Sequence, residues 1–554
     1  MGKTEKAGLK FNTGLTIAAL LLIGAAFVKF WLVGYDMDEQ YEYAMAYRML
    51  KGDFIVKEMW EPHQTSAVFE FLLMYLYSRV FGLNGVVIFS RAVGMVIHSV
   101  LMVFLYKFLK KRVSKTIALS VTGIIALTVP KLMFTPDYSN LLMWFLLIYI
   151  LALTKYYSDE GRNKIYMVLA GLALMLGVFS YPALLILVPV TVYIAVRLRK
   201  NIKDLLMEAI CCALPGITGL TAFLIFLRSR MSFPEIKQNI GFLLSDGSHS
   251  AGIGVRMKEH LVSLETVLVF LLIYASVSFL LFFILKNKLR LTPVNFILVM
   301  TGVSYAGQFV VWIALDRYIH FPRVDVLFAA FYLLFYGAFR KKNRQETADY
   351  LLYTLVPVAS YIGVCLFTNH PFLASTPFLS YSLIGLALNI KENKEKKEKD
   401  VVKIAAWTAL FIVIVGNLFL IRTAGSIKHT IFDPVSMIRK GPATGIIADD
   451  KIVQRNKDDF EMMTEMIPKG SKVLYIGKDS DVYMFNDYEV CTPSTISTPT
   501  YAENLDDYVA NNPDKVPEYI VYENDYIYTA TGKYGNEYTE FASNWYIHLM
   551  KKNE

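Results

Sequence analysis

The sequence predicts a polytopic α-helical membrane protein that ends in a small α/β domain. Of its 554 residues, 55% are hydrophobic and only 19% are charged, and the mean hydropathy is +0.41, whereas soluble domains carry about 25% charged residues. Apolar runs long enough to cross a bilayer recur along the first 421 residues, and the rest of the chain is polar and acidic. This pattern excludes a disordered chain, a collagen-like fibre and a soluble cytosolic enzyme.

The apolar runs predict the membrane topology. A helix that crosses a bilayer needs about 20 mostly apolar residues. Thirteen runs are read as spans, at 12–34, 84–108, 116–134, 138–154, 165–180, 182–197, 204–227, 261–285, 292–315, 321–339, 349–368, 371–390 and 402–421. The first is too long for a cleaved signal peptide and lacks a small-residue cleavage site.

Lys and Arg are concentrated in alternate loops, such as 107–115, 340–344 and 391–403. Because basic loops mark the cytoplasmic face, the N-terminus is predicted to be cytoplasmic. The first outer loop, 35–83, and a second loop, 229–260, then lie outside. The basic loops are explained by this rule and require no nucleic acid as a partner. The expected location is the plasma membrane.

An odd number of spans places the end of the chain outside the cell. Residues 1–421 form the predicted membrane domain, 422–439 a connector, and 440–554 an extracytoplasmic α/β domain. Residues 422–554 have a net charge of −7, against +16 for the rest. Strands are predicted at 472–477 and 517–522, with a helix at 502–511 between them.

Four acidic residues crowd the start of the first outer loop: Asp36, Asp38, Glu39 and Glu42. Acidic residues stabilise a helix N-terminus, which is the simplest interpretation. Asp38 and Glu42 also share a helix face, and neighbouring carboxylates suit proton abstraction or the binding of a cation. A divalent cation held by oxygen ligands and a solvated acidic cluster without metal both remain open.

Further polar residues are predicted at the same side of the membrane. The segment Glu61-Pro-His63-Gln precedes an amphipathic stretch, 67–81, which is read as a helix lying on the outer leaflet. Asp137 begins the fourth span, where it serves at least as an N-cap.

Basic residues lie at the outer ends of other spans. Arg317, His320 and Arg323 are suited to binding an anion, since the planar guanidinium donates two bonds at once. Arg91 lies about two turns inside the second span. A basic residue there is costly and by default functional, with snorkelling or pairing to Asp38 or Asp137 as alternatives.

Carboxylates and cations that face the same side of a membrane suit transfer from a membrane-anchored phosphate. A carboxylate activates an incoming hydroxyl, and cations stabilise the departing phosphate. None of the sequence motifs for nucleotide phosphates, GxGxxG dinucleotide sites, HExxH or CxxC occurs.

The ordered set of motifs resembles the GT-C glycosyltransferases that use polyprenyl-phosphate sugars, including the aminoarabinose transferase and protein O-mannosyltransferases. The resemblance covers about 320 residues. Its motifs, in chain order, are Asp38-Glu-x-Tyr-x-Tyr-Ala-x-x-Tyr-Arg-Met-Leu-x-Gly-Asp53, Glu61-Pro-His-Gln, Phe81-Gly, Phe89-Ser-Arg91-Ala, Thr135-Pro-Asp137-Tyr and Arg317-Tyr-x-x-x-Pro322.

The resemblance implies an outward-facing cavity, two surface helices between the first two spans, and loop 229–260 as a substrate lid. It implies that Asp38 is the catalytic carboxylate and that Asp137 belongs to the second acidic motif. Asp36 replaces Asp38 if the alignment shifts by two. Where relatives place a basic residue near the donor phosphate, this chain has His63 and Gln64, and no Lys.

The predicted function is transfer of a sugar from a polyprenyl-phosphate carrier to an envelope glycan, lipid or protein on the outer face. The expected catalytic residues are Asp38, Asp137, Glu39 and Asp36, and the expected phosphate ligands are Arg317, His320, His63 and Arg91. A lipid-linked oligosaccharide ligase or polymerase is the first alternative, and a lipid-linked sugar flippase the second.

Overall fold

The structure is a computed structural model. It describes residues 3–158, 163–198, 201–244, 254–255, 257–261, 343–368, 375–389, 396–423, 426–496 and 504–554, together with a few positions between 276 and 334. The predicted spans 261–285, 292–315 and 321–339 lie outside the described residues, apart from a few such positions.

Most of the described chain before residue 420 is helical. The helices there are, in order, α1 (Lys3–Leu32), α2 (Met37–Lys51), α3 (Ala67–Phe81), α4 (Val86–Leu109), α5 (Lys115–Leu127), α6 (Tyr138–Ser158), α7 (Ile165–Ser180), α8 (Leu187–Leu198), α9 (Ile202–Arg228), α10 (Phe233–Leu244), α11 (Arg344–Phe367), α12 (Ser382–Asn389) and α13 (Lys396–Phe419).

Six helical segments of the described chain are long and apolar enough to cross a membrane: Thr13–Leu32, Val86–Leu109, Tyr138–Ser158, Ile202–Arg228, Arg344–Phe367 and Val402–Phe419. Shorter apolar helical segments are Lys115–Leu127, Ile165–Ser180 and Pro182–Leu198. These helices indicate a membrane protein. Each overlaps a predicted span. Apart from the span at 116–134, the ends of helix and span differ by a few residues.

The predicted span at 116–134 is too long. Its helix, α5, ends at Leu127, and the chain then forms a short 3-10 turn, Pro130–Leu132. Pro130 cannot donate the hydrogen bond that a continuing helix requires, and Lys131 has a left-handed backbone with φ of 60°. Lys131 therefore lies in a loop at the end of the bundle where α1 ends and α4 begins, which we call the site face.

Two helices connect α1 to α4 at this face. Asp36 caps α2 by accepting a hydrogen bond from the Asp38 amide at 3.1 Å, and Gly52 ends α2 with a left-handed φ of 102°. The helix predicted at 67–81 is present as α3, Ala67–Phe81. The acidic residues of the first outer loop thus lie in the cap and first turns of a helix.

The chain after residue 419 combines strands and helices. Its strands are β1 (Leu420–Thr423), β2 (Ser426–Thr430), β3 (Val435–Met437), β4 (Ile447–Asp449), β5 (Lys472–Ile476), β6 (Glu489–Val490), β7 (Tyr519–Glu523), β8 (Tyr538–Ser543) and β9 (Ile547–Lys552), and its helices are α14 (Asp450–Met466), α15 (Leu505–Asn511) and α16 (Ile527–Tyr534). The predicted strands at 472–477 and 517–522 are confirmed as β5 and β7.

The last five strands form one mixed sheet in the order β6-β5-β7-β9-β8. Strand β5 runs parallel to β6 and β7, and β9 is antiparallel to β7 and β8. One face of α2 packs on this sheet, because Tyr43 and Tyr47 share a buried core with Val473, Tyr475 and Val521. The sheet therefore supports the helix that carries Asp38.

Candidate active site

Asp38 lies in the first turn of α2 and faces three side chains from other parts of the chain. Its Oδ2 is 3.4 Å from Lys131 Nζ and 3.9 Å from an Nη of Arg422. The Tyr138 hydroxyl donates to the same oxygen at 3.4 Å. These separations are longer than a tight ion pair, and the Asp38 side chain is 24% exposed.

Asp36 is enclosed by its own partners. Arg422 Nε donates to Asp36 Oδ2 at 2.6 Å, and the other carboxylate oxygen caps α2. Arg422 lies in β1, directly after the last helix of the bundle. A Cβ at Gly34 would stand 2.8 Å from the Arg422 carbonyl oxygen, so Gly34 allows β1 to approach the end of α1.

Asp137 caps α6 and forms a buried ion pair. Its Oδ1 accepts a hydrogen bond from the Asn140 amide at 2.8 Å, and its Oδ2 lies 2.6 Å from Lys131 Nζ. Burial of the Lys131 ammonium favours the neutral amine, but the neighbouring carboxylates of Asp137 and Asp38 outweigh it and raise the Lys131 pKa well above its usual value. Lys131 thus links Asp38 to Asp137 as a charged side chain.

Glu39 faces away from Asp38 and binds Arg91. Arg91 Nε donates to Glu39 Oε1 at 2.7 Å, and an Nη donates to Oε2 at 2.5 Å. The Thr135 hydroxyl also donates to Glu39, and Arg91 donates to the Gly34 carbonyl oxygen at 2.9 Å. This bidentate pair joins α2 to α4 with both side chains buried.

Two further carboxyl groups are buried behind this cluster. Ser66 donates to Glu42 Oε1, and Ser90 donates to Glu70 Oε2, each at 2.6 Å. Burial raises the pKa of Glu42 well above its usual value and that of Glu70 to about 8. Both groups therefore favour the protonated form at neutral pH.

His63 lies in an aromatic stack beside the acidic cluster. Its ring is 4.2 Å from the Tyr138 ring and 5.1 Å from the Tyr181 ring, with interplanar angles of 14° and 10°. The backbone of His63 has a φ of 64°, which is uncommon for a residue other than glycine. The stack places His63 against Tyr138, whose hydroxyl reaches Asp38.

The described part of loop 229–260 covers the first outer loop. It includes α10, and Phe242 of this helix stacks on Trp60 with the ring centroids 4.3 Å apart and the planes at 7°. Trp60 also contacts the Tyr508 ring from the C-terminal region. Loop 229–260, the first outer loop and the C-terminal region thus meet at Trp60.

The structure brings together Asp36, Asp38, Glu39, Asp137, Arg91 and His63, whereas Arg317 and His320 lie outside the described residues. It adds two cations that the sequence analysis did not select, Lys131 and Arg422. Lys131 was not selected because it lies within the predicted span 116–134. A Lys beside Pro130 at the end of an apolar run nevertheless indicates a polar function at this position. Arg422 follows the last span, and its only sequence signal was its position at that boundary.

The acidic side chains of the first outer loop bind different partners and do not converge on one point. Within the described residues, no group of three or more His, Cys, Asp or Glu side chains is arranged to hold a metal ion. Asp36 and Glu39 each bind an Arg side chain, and Glu42 binds Ser66.

Comparison with known proteins finds similarity of structure alone. No family model matches the chain, and no curated protein matches it. The chain is similar to the archaeal oligosaccharyltransferase AglB from Archaeoglobus fulgidus in complex with an inhibitory peptide and a dolichol-phosphate, with 12% identity, a TM-score of 0.46, and 95% of this chain and 71% of that chain covered.

A second similar structure is ArnT from Cupriavidus metallidurans bound to undecaprenyl phosphate. The identity is 12% and the TM-score 0.45, and 98% of each chain is covered.

Proposed function

We propose that this chain is a membrane glycosyltransferase that moves a sugar from a polyprenyl-phosphate carrier to a hydroxyl or amide group of an envelope acceptor. The observation that carries the proposal is the accessibility of Asp38. Its side chain is 24% exposed, whereas those of Asp36, Asp137 and Glu39 are 0%, 1% and 1% exposed. Asp38 is the carboxylate of this cluster that an acceptor can reach.

The charge of the cluster identifies which substrate it faces. Asp36, Asp38 and Asp137 meet two cations, Lys131 and Arg422, and the charges of Glu39 and Arg91 cancel. One negative charge is left over, which disfavours a phosphate dianion and suits the neutral nucleophile of an acceptor. We infer that the described cluster is the acceptor side of the site.

The donor phosphate then needs cations from elsewhere. Arg91 is committed to Glu39 through two hydrogen bonds, and the His63 ring packs against the rings of Tyr138 and Tyr181. Arg317 and His320 remain the proposed phosphate ligands, because Arg and protonated His side chains donate charge-assisted hydrogen bonds to a phosphate. On this assignment Arg91 shapes the site by holding α2 against α4.

The proposed reaction balances without a nucleotide. Asp38 accepts the proton of the acceptor nucleophile. At the same time, a lone pair of that nucleophile attacks the anomeric carbon of the donor sugar. The bond between that carbon and the phosphate oxygen breaks, and its electron pair leaves on the polyprenyl phosphate. General base catalysis of this kind contributes about 10²–10⁴-fold to rate.

Lys131 holds the acidic residues in place for this step. It contacts Asp137 tightly and Asp38 loosely, and it lies 4.1 Å from the centre of the Tyr138 ring. Asp137 is held at the N-terminus of α6. Because the Lys131 ammonium contacts both Asp137 and Asp38, it orients Asp38 relative to Asp137. We assign Asp137 and Lys131 as positioning residues.

The experiment is a donor panel. Purified protein in detergent is incubated with an acceptor extract and with polyprenyl-phosphate monosaccharides or lipid-linked oligosaccharides, and the released polyprenyl phosphate or pyrophosphate is measured. Glu461→Gln is tested beside the wild type as a control substitution outside the site. Glu461 forms a surface ion pair with Lys440, far from Asp38 along the chain.

Release from a monosaccharide carrier in the wild type and in Glu461→Gln supports the proposal. Release from oligosaccharide carriers alone identifies a ligase and contradicts the monosaccharide assignment. Movement of lipid-linked sugar across vesicles without any release contradicts transfer chemistry altogether and identifies a flippase.

A further inference from the structure

The turn that joins β2 to β3 exposes an apolar tip. Ile431 and Phe432 are exposed, and Val435 and Met437 of the adjoining β3 are exposed as well. Phe432 is 80% exposed, which is unusual for a Phe. Turns are normally built from Gly, Pro, Asn, Asp and Ser, so an Ile-Phe pair at a turn tip requires an explanation other than turn geometry.

The tip is held in a defined conformation. Asp433 Oδ2 accepts a hydrogen bond from the Thr430 amide at 2.6 Å, and the Asp433 amide donates to the Thr430 carbonyl oxygen at 3.0 Å. These bonds close the turn around residues 431 and 432. The hydrogen bonds between Thr430 and Asp433 thus hold the turn with its two apolar side chains pointing outward.

The height of the tip relative to the membrane is fixed by α13. The Ile431 amide donates to the Phe419 carbonyl oxygen at 2.9 Å, and the Phe432 ring stacks on the Phe419 ring with centroids 5.5 Å apart. Phe419 is the last residue of the apolar segment Val402–Phe419. The tip therefore lies level with the end of a membrane-spanning helix.

The position of the tip at the end of a spanning helix determines the environment that surrounds it. β1 leaves the end of α13 and β2 returns to it, since Leu420 pairs with Thr430. β3 pairs with β4 along one edge, and all three residues of β3 are exposed. An exposed aromatic ring continuous with the surface of a spanning helix meets the boundary between lipid headgroups and acyl chains.

We propose that residues 431–437, which the sequence places in an aqueous connector, insert their apolar side chains into the leaflet at the site face. The partner is the bulk phospholipid of that leaflet. The insertion anchors the C-terminal region to the membrane at the strand pair that carries Arg422. It thereby fixes the height of Arg422, and with it the ion pair to Asp36, relative to the lipid surface.

A site-specific photoprobe tests this directly. The variant Phe432→p-benzoylphenylalanine is placed in nanodiscs of phosphatidylcholine and phosphatidylglycerol doped with polyprenyl phosphate, irradiated, and analysed by mass spectrometry. Tyr528→p-benzoylphenylalanine is the matched control, because Tyr528 is an aromatic residue that is 89% exposed on α16. Ile431→p-benzoylphenylalanine gives a second probe if the first variant is poorly folded.

Phospholipid adducts at position 432 are expected to exceed those at position 528 by about tenfold or more, because burial of a Phe side chain favours the immersed state by at least that factor. Equal yields at the two positions, or no lipid adduct at either, would overturn the proposal. Adducts to a second protein chain would point to a protein interface, and adducts to polyprenyl phosphate alone to a carrier groove; either result also overturns it.

Discussion

The Lys131 ammonium lies 2.6 Å from the Asp137 carboxylate, and both side chains are buried. A buried ion pair of this kind is held together by its own geometry, because neither charge has water as a substitute partner. The pair connects the loop after α5 to the start of α6. Lys131 also lies 3.4 Å from Asp38 Oδ2.

Replacement of Lys131 by Met should destabilise the protein by about 3–5 kcal/mol, because it leaves Asp137 buried without a counter-charge. Asp137→Asn keeps the hydrogen bond that caps α6, so the double variant Lys131→Met, Asp137→Asn should recover much of that loss. Unfolding of the wild type, both single variants and the double variant in detergent gives the coupling energy. Additive effects of the two substitutions would show that the pair is not coupled.

Replacement of Arg91 by Lys tests whether this residue binds the donor. Lysine cannot form the bidentate contact with Glu39, so the variant should lose about 1–3 kcal/mol of stability. The KM for the donor should stay unchanged in the folded fraction, measured from initial rates after thermal stability is scored. A raised KM with unchanged stability would assign Arg91 to the donor phosphate instead.

Much of this arrangement follows from the sequence. Spacing and composition were enough to locate α3 at 67–81, the start of α6 at Tyr138, and the acidic first turn of α2, because each depends on local periodicity or capping. The motif order also brought Asp38 and Asp137 to one face. These features are determined by residues that are close in the chain.

The cations of the site were the part that local reasoning missed. Arg422 pairs with Asp36 across 386 positions, and no periodicity specifies such a contact. Arg91 is predicted as a phosphate ligand, with pairing to Asp38 or Asp137 as an alternative, and in the structure it binds Glu39. The direction of a side chain on α2 decides between these carboxylates, and that direction depends on how α2 packs on the sheet.

The contact between Tyr35, just before α2, and Asp481 of the 3-10 turn Ser480–Met484 should be visible as a pH dependence of stability. The Tyr35 hydroxyl donates to Asp481 Oδ2 at 2.6 Å, and burial raises the Asp481 pKa to about 7. A carboxyl group with a raised pKa in the folded state stabilises fully below its unfolded pKa of about 4. That stabilisation is lost as pH rises toward 7.

Asp481→Asn should therefore flatten the decline in melting temperature between pH 4 and pH 7, as measured in detergent. It should also make the variant at least as stable as the wild type at pH 8, since the buried charge is removed while the bond to Tyr35 is kept. Asp433→Asn, at the apolar tip, is the control for removal of a carboxylate elsewhere. Parallel pH profiles for the wild type and Asp481→Asn would contradict the prediction.

The role of Asp38 is tested most directly by the initial rate of polyprenyl phosphate release at saturating donor and acceptor, compared for wild type, Asp38→Asn and Glu461→Gln. A loss of about 100-fold or more is expected in Asp38→Asn, with an unchanged melting temperature because this carboxylate is 24% exposed. Glu461→Gln should match the wild type. Wild-type turnover in Asp38→Asn would contradict the assignment of Asp38 as the base.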